Sequence, residues 1–100
     1  MKEFSIMPQN PYYETERFPG SERHEVFEGY ISKNRDYSIE DGLVIFITPD
    51  MHRTSKSSIH KNPKFWKETV RLQELAEQAW IEHYRKTKDE FRQRYGKNYL

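Results

Sequence analysis

The sequence predicts a small α+β fold: a two-stranded hairpin with a helix start behind it, then a long helix and a short C-terminal helix. Three observations predict it. One five-residue run of β-formers, Leu43-Val44-Ile45-Phe46-Ile47, lies between the turn signal Asp41-Gly42 and Pro49. From Pro63 to about Lys86, apolar side chains recur at helical spacing. Thr87-Lys88-Asp89-Glu90 matches a capping box, in which a threonine hydroxyl and a glutamate carboxylate satisfy orphan amides reciprocally.

The elements follow in order. Residues 1–20 hold three of the five prolines, Pro8, Pro11 and Pro19, and are expected to form an extended arm with at most a short strand near Phe4 to Met7. Glu22 to Phe27 alternates polar and apolar residues and reads as the first strand, ending near Gly29. Residues 28–42 are rich in Lys, Asn, Arg, Asp and Ser and read as an irregular loop. Leu43 to Ile47 is the second strand. Thr48-Pro49-Asp50 resembles a helix start, since threonine can cap and proline is tolerated in the first turn. A loop from about Thr54 to Ser58 leads to His60.

Asn62-Pro63 opens the long helix. One stripe on it is Phe65, Leu72, Ala76, Ala79 and His83; its neighbour is Trp66, Val70, Trp80 and Tyr84. The final helix carries Phe91 and Tyr95 and stops at Gly96. The organisation is therefore an arm over 1–20, a hairpin-and-helix core over 21–62, and a helical extension over 63–100 packed on that core as one domain.

Composition bounds the function. One hundred residues make one domain. With 34% apolar and 33% charged residues, the core must be lean, and seven Tyr, six Phe and two Trp must supply much of it. Seventeen basic residues against 16 acidic give a net charge of +1, which excludes a strongly basic DNA-coating protein but not a local basic patch. Without cysteine there are no disulfides and no thiolate metal ligands. The opening residues, broken by proline and charge, do not read as a secretion signal, and the run Leu43 to Ile47 is too short for a bilayer. A cytoplasmic location without membrane partners is expected.

The chemistry-bearing residues are histidines. His24 lies on the first strand, His52 at the expected helix start and His60 in the following loop. A hairpin folded against the next helix brings the first strand and that helix start together, so His24 and His52 come within reach of one ion, with His60 as the third ligand. Three imidazoles, with a carboxylate or water as the fourth ligand, suit zinc and other first-row divalent ions. His83, beside Ala79 and Trp80 on the long helix, is a packing or surface residue and stays outside the site.

The stretches Glu22-Arg23-His24-Glu25-Val26-Phe27, Ser38-Ile39-Glu40-Asp41-Gly42-Leu43-Val44, Pro49-Asp50-Met51-His52 and Phe91 to Leu100 carry a resemblance. Over roughly residues 20–100 the chain resembles small phage-encoded HNH-like proteins of the ββα-metal, or His-Me finger, fold. The resemblance implies a ββα-metal core with one bound divalent ion, zinc first. It makes His24 and His52 metal ligands, His60 the match to a later histidine of the group, and Glu25 the occupant of the general-base position.

Two departures follow from these positions. Active members often carry two adjacent histidines on the first strand, whereas here the second is Glu25, which beside a cation is a weakened base and a further candidate metal ligand. The cysteines that often brace the fold are absent, with Ile47-Thr48 where Leu-Cys is typical.

The expected function is accordingly that of a catalytically degenerate metal-binding protein acting through a nuclease or nucleoprotein partner. A type II CRISPR effector with its guide RNA is the concrete partner, which makes the chain an anti-CRISPR acting in the bacterial cell. The alternative is an active metal-dependent HNH DNA endonuclease or nickase, with Glu25 as its catalytic base. Arg53 and Lys56, beside the expected metal, and Arg35 in the 28–42 loop, with Lys33 and Asn34, are candidate phosphate or partner contacts. Tyr12, Tyr13, Tyr30 and Arg53 are candidate partner anchors.

Overall fold

A computed structural model describes residues 3–10, 13–27, 33–49 and 63–100, with side chains of the long helix described from Leu72 onward. Strand β1 (Glu22–Glu25) is followed by helix α1 (Asn34–Asp41) and strand β2 (Val44–Ile47). Helix α2 (Pro63–Tyr84) and helix α3 (Lys88–Tyr95) follow among the described residues. The two strands pair antiparallel, with Glu22 opposite Ile47, Arg23 opposite Phe46, His24 opposite Ile45 and Glu25 opposite Val44. This is a small α+β fold. The helix start expected at 48–50 lies outside the described residues beyond Pro49.

The segment expected to be an irregular loop instead contains α1. Its inward face is polar: Ser38 and Asp41 are buried and Tyr37 is half-buried. The Ser38 hydroxyl donates to the Phe27 carbonyl (3.1 Å) and accepts from the Phe27 amide (3.3 Å), pinning the helix to the exit of β1. A helix packed through satisfied polar groups leaves no apolar period to detect. Its end is marked by Gly42, left-handed at φ 79°, and by the Leu43 amide donating to the Ser38 carbonyl at 2.8 Å. A Cβ at Gly42 would also stand 2.5 Å from the Phe4 ring. The turn signal Asp41-Gly42 is therefore a helix C-cap.

Leu43 to Ile47 are all at most 2% exposed, which explains why this run is apolar throughout rather than alternating. One edge of β2 meets β1. Along the other runs the N-terminal arm, extended as its prolines imply. The Ile6 amide donates to the Gly42 carbonyl (2.8 Å), and the Ser5 hydroxyl donates to the Val44 carbonyl (2.6 Å). Glu14 and Phe46 exchange backbone hydrogen bonds at 3.0 and 2.9 Å. The arm thus satisfies edge groups that would otherwise template aggregation.

On α2 the expected stripe residues Leu72, Ala76 and Trp80 are buried, Ala79 and Tyr84 are half-buried and His83 is exposed. The helix ends with Arg85 at φ 55°, where the Lys86 amide donates to the Ile81 carbonyl (3.0 Å). The capping box that opens α3 is present: the Thr87 hydroxyl accepts from the Glu90 amide, and the Glu90 carboxylate accepts from the Thr87 amide, both at 3.1 Å. Gly96 stops α3 at φ 95°.

The core is lean and aromatic. Phe27 just beyond β1, Trp80 from α2, and Phe91 and Tyr95 from α3 meet with ring centroids 4.6 to 5.6 Å apart in successive contacts. Such pairs add about 0.5–1.5 kcal/mol each beyond area burial. Tyr99 closes the cluster over Phe27 at 4.9 Å.

Candidate functional site

Antiparallel pairing sets the strand side of the site. His24, opposite Ile45, is 1% exposed, and Glu25, opposite Val44, is 7% exposed. Alternation along a strand sends these neighbours to opposite faces. Glu25 is not open to solvent. Its carboxylate accepts from Arg35 Nε at 3.2 Å and lies 3.6 Å from Arg23 Nη2. Arg35, expected to be free for phosphate, is thus engaged by the residue in the base position.

The pairing continues outward. Arg23 Nη1 donates to Glu3 at 2.9 Å, and Arg17 donates to both Glu3 oxygens through Nε and Nη2 at 2.8 Å each. Arg17, then Arg23, holds the Glu3 carboxyl below its usual range, and Glu3 in turn raises Arg17. Three guanidiniums and two carboxylates therefore alternate from the arm across β1 to α1.

Of the other expected contacts, His52, His60, Arg53 and Lys56 lie outside the described residues, as do Tyr12 and Tyr30. Among the described residues no group of three His, Asp or Glu side chains is arranged to hold a metal ion. His24 is the one expected ligand whose position is described, together with its neighbour Glu25. Tyr13 is corrected: it is 5% exposed and its hydroxyl donates to the Pro8 carbonyl, so it belongs to the core rather than to a partner surface.

A second constellation escaped sequence reading. The Asp41 carboxylate accepts from Trp80 Nε1 (2.8 Å), the Tyr95 hydroxyl (2.7 Å) and Arg94 through Nε (2.6 Å) and Nη2 (2.9 Å). Tyr84 donates to the Asp41 carbonyl at 2.8 Å, and Arg94 stacks on Tyr37 at 4.1 Å. Burial lowers the Arg94 pKa, but the Asp41 hydrogen bonds and charge outweigh it and raise the group above its ordinary value. Burial first, then the bond to Asp41, raises the Tyr95 phenol, and burial first raises Tyr84. An open groove of about 480 Å³ runs above, lined by Tyr37, Trp80, Tyr84, Lys86 and Arg94. With its acceptors filled, Asp41 joins helices and holds no free base.

Glu77 is the other missed residue. It is fully buried and accepts from the Tyr99 and Leu100 amides and from Asn98 Nδ2 (3.1 Å). The stretches Ser38 to Val44 and Phe91 to Leu100, which carry the resemblance, therefore meet directly through Asp41, Arg94 and Tyr95. The available signal was chemical: Trp80 and Tyr95, if buried, each need a polar partner.

No family model, curated protein or solved structure matches this chain. Among the described residues no helix is long and apolar enough to cross a membrane.

Proposed function

We propose that this chain is a zinc-binding HNH-like protein that has lost nuclease chemistry and acts by binding a nuclease or nucleoprotein partner, with a type II CRISPR effector and its guide RNA as the concrete candidate. The observation that carries the reading is Glu25. It occupies the base position implied by the resemblance, yet its carboxylate is nearly buried and shared between Arg35 and Arg23. A nearly buried carboxylate already paired with two guanidiniums at Oε1 is poorly placed to meet and deprotonate a water. An antiparallel strand pair with His24 buried at its middle suits the metal half of the reading, and His52 and His60 complete the proposed ligand set.

Purified protein is expected to carry about one divalent ion per chain and to lose thermal stability on chelation. His52→Ala should lower the melting temperature far more than the exposed His83→Ala. Plasmid nicking with Mg²⁺, Mn²⁺ or Zn²⁺ is expected to be weak or absent. The protein should co-elute with an effector–guide complex and reduce target cleavage. Robust nicking that disappears in both His24→Ala and Glu25→Ala would restore the endonuclease reading.

A further inference from the structure

We propose that Arg17, Arg23 and Arg35 form a latent phosphodiester-binding face that Glu3 and Glu25 occupy from within the chain. The inference needs neither the metal nor the partner proposed above. Guanidinium forks match carboxylate and phosphate oxygens alike. Arg17 grips Glu3 through two parallel 2.8 Å bonds, the arrangement it would offer a phosphate. Arg23 bridges the two carboxylates, and Arg35 reaches Glu25 through Nε alone. Two carboxylates leave the donors of three guanidiniums only partly used: the buried Arg23 Nε has no acceptor among the described residues.

Exposure separates this face from an ordinary structural ion-pair network. The Arg17 and Arg35 side chains are 50% and 58% exposed against 29% and 9% for Glu3 and Glu25, so the guanidiniums face solvent more than the acids do, and their charges remain available to a ligand arriving from solvent. Glu3 is delivered by the arm and Glu25 by β1. The fold thus brings two acids from separate elements onto one row of arginines. Neutralising either acid releases a fork that is already in place.

The test is binding of a fluorescent duplex of about 20 base pairs, at several salt concentrations, to the full chain and its variants, since each released phosphate contact steepens the salt dependence by about one unit. Wild-type protein should bind weakly. Glu25→Gln should gain about tenfold, the scale of one charge-assisted contact, and Glu25→Gln with Arg35→Ala should lose that gain. Glu3 lies at the surface, so Glu3→Gln is the variant least able to disturb folding, and its gain should depend on Arg17. Asp89→Asn, in the first turn of α3, frees Arg92 of the last turn, makes the same charge change elsewhere and is the control. Gains in Glu3→Gln and Glu25→Gln no larger than in Asp89→Asn, or gains that survive removal of the arginines, would overturn the proposal.

Discussion

The Asp41 carboxylate accepts four hydrogen bonds from three residues on two helices, and among the described residues nothing else joins α1, α2 and α3 so directly. Asp41→Asn keeps the shape but replaces one acceptor oxygen with donors facing Trp80, Arg94 or Tyr95, and it leaves the partly buried Arg94 with the exposed Glu40, 3.0 Å from its Nη2, as its remaining counter-charge among the described residues. Removing one partner of a buried pair costs about 3–5 kcal/mol; because Arg94 is 30% exposed, about 2–3 kcal/mol is expected here, read as a lower urea midpoint. The same network sets an alkaline limit. Tyr95 is raised in the folded protein, so below about pH 10 the phenol is neutral in both states and its contribution is intact. As pH rises past the unfolded value, the unfolded chain loses this proton first and stability falls. Tyr84 and Tyr99 are raised as well and add to the slope. Melting curves from pH 9 to about 11 should show a steep decline that is shallower in Tyr95→Phe.

Among the elements, the legible ones carried their signals in local chemistry. The capping box of α3, its Gly96 stop and the apolar run of β2 could be read because each depends on neighbours a few residues away. Helix α1 was not legible, since its packing face is Tyr37, Ser38 and Asp41, whose partners lie up to 54 residues distant. The arm shows both sides. Its prolines announced an extended chain, but which strand edge it would cover was not written locally. The end of α2 carries a residue-level strain: Arg85 holds a left-handed conformation that costs a non-glycine residue about 1–2 kcal/mol. Arg85→Gly should therefore raise stability by up to about 1 kcal/mol, after the entropy of the freer glycine backbone is subtracted. An unchanged or lowered melting temperature would show that the Arg85 side chain contributes more than its backbone costs.

At the scale of the whole molecule, a chain with this charge content holds its fold through two devices beyond the aromatic cluster. One is buried acids that collect donors from distant segments: Asp41 gathers α2 and α3, and Glu77 gathers the last three residues. The other is the arm, which lies along β2 and delivers Glu3 to Arg17 and Arg23. Asp41, read from sequence as part of a turn, and Glu77, given no role there, are thus interior, while His83, at the end of its helix stripe, is exposed.

The sequence by itself determined the fold class, the second strand, the two C-terminal helices and the aromatic character of the core. Hydrophobic runs, caps and glycine stops act over one or two turns, and their physics is complete within a short window. It also placed His24 and Glu25 side by side on one strand, because a strand needs only alternation to be recognised. Only the tertiary structure decided which polar residues are buried and what they hold. Burying Asp41 is favourable once Trp80, Arg94 and Tyr95 converge on it, and that convergence is a property of three packed helices. Glu25 passed from an open candidate base to a carboxylate held by Arg35 and Arg23 for the same reason. Its partners come from β1 itself and from a helix that no local pattern announces, so its pairing depends on where the chain returns in space.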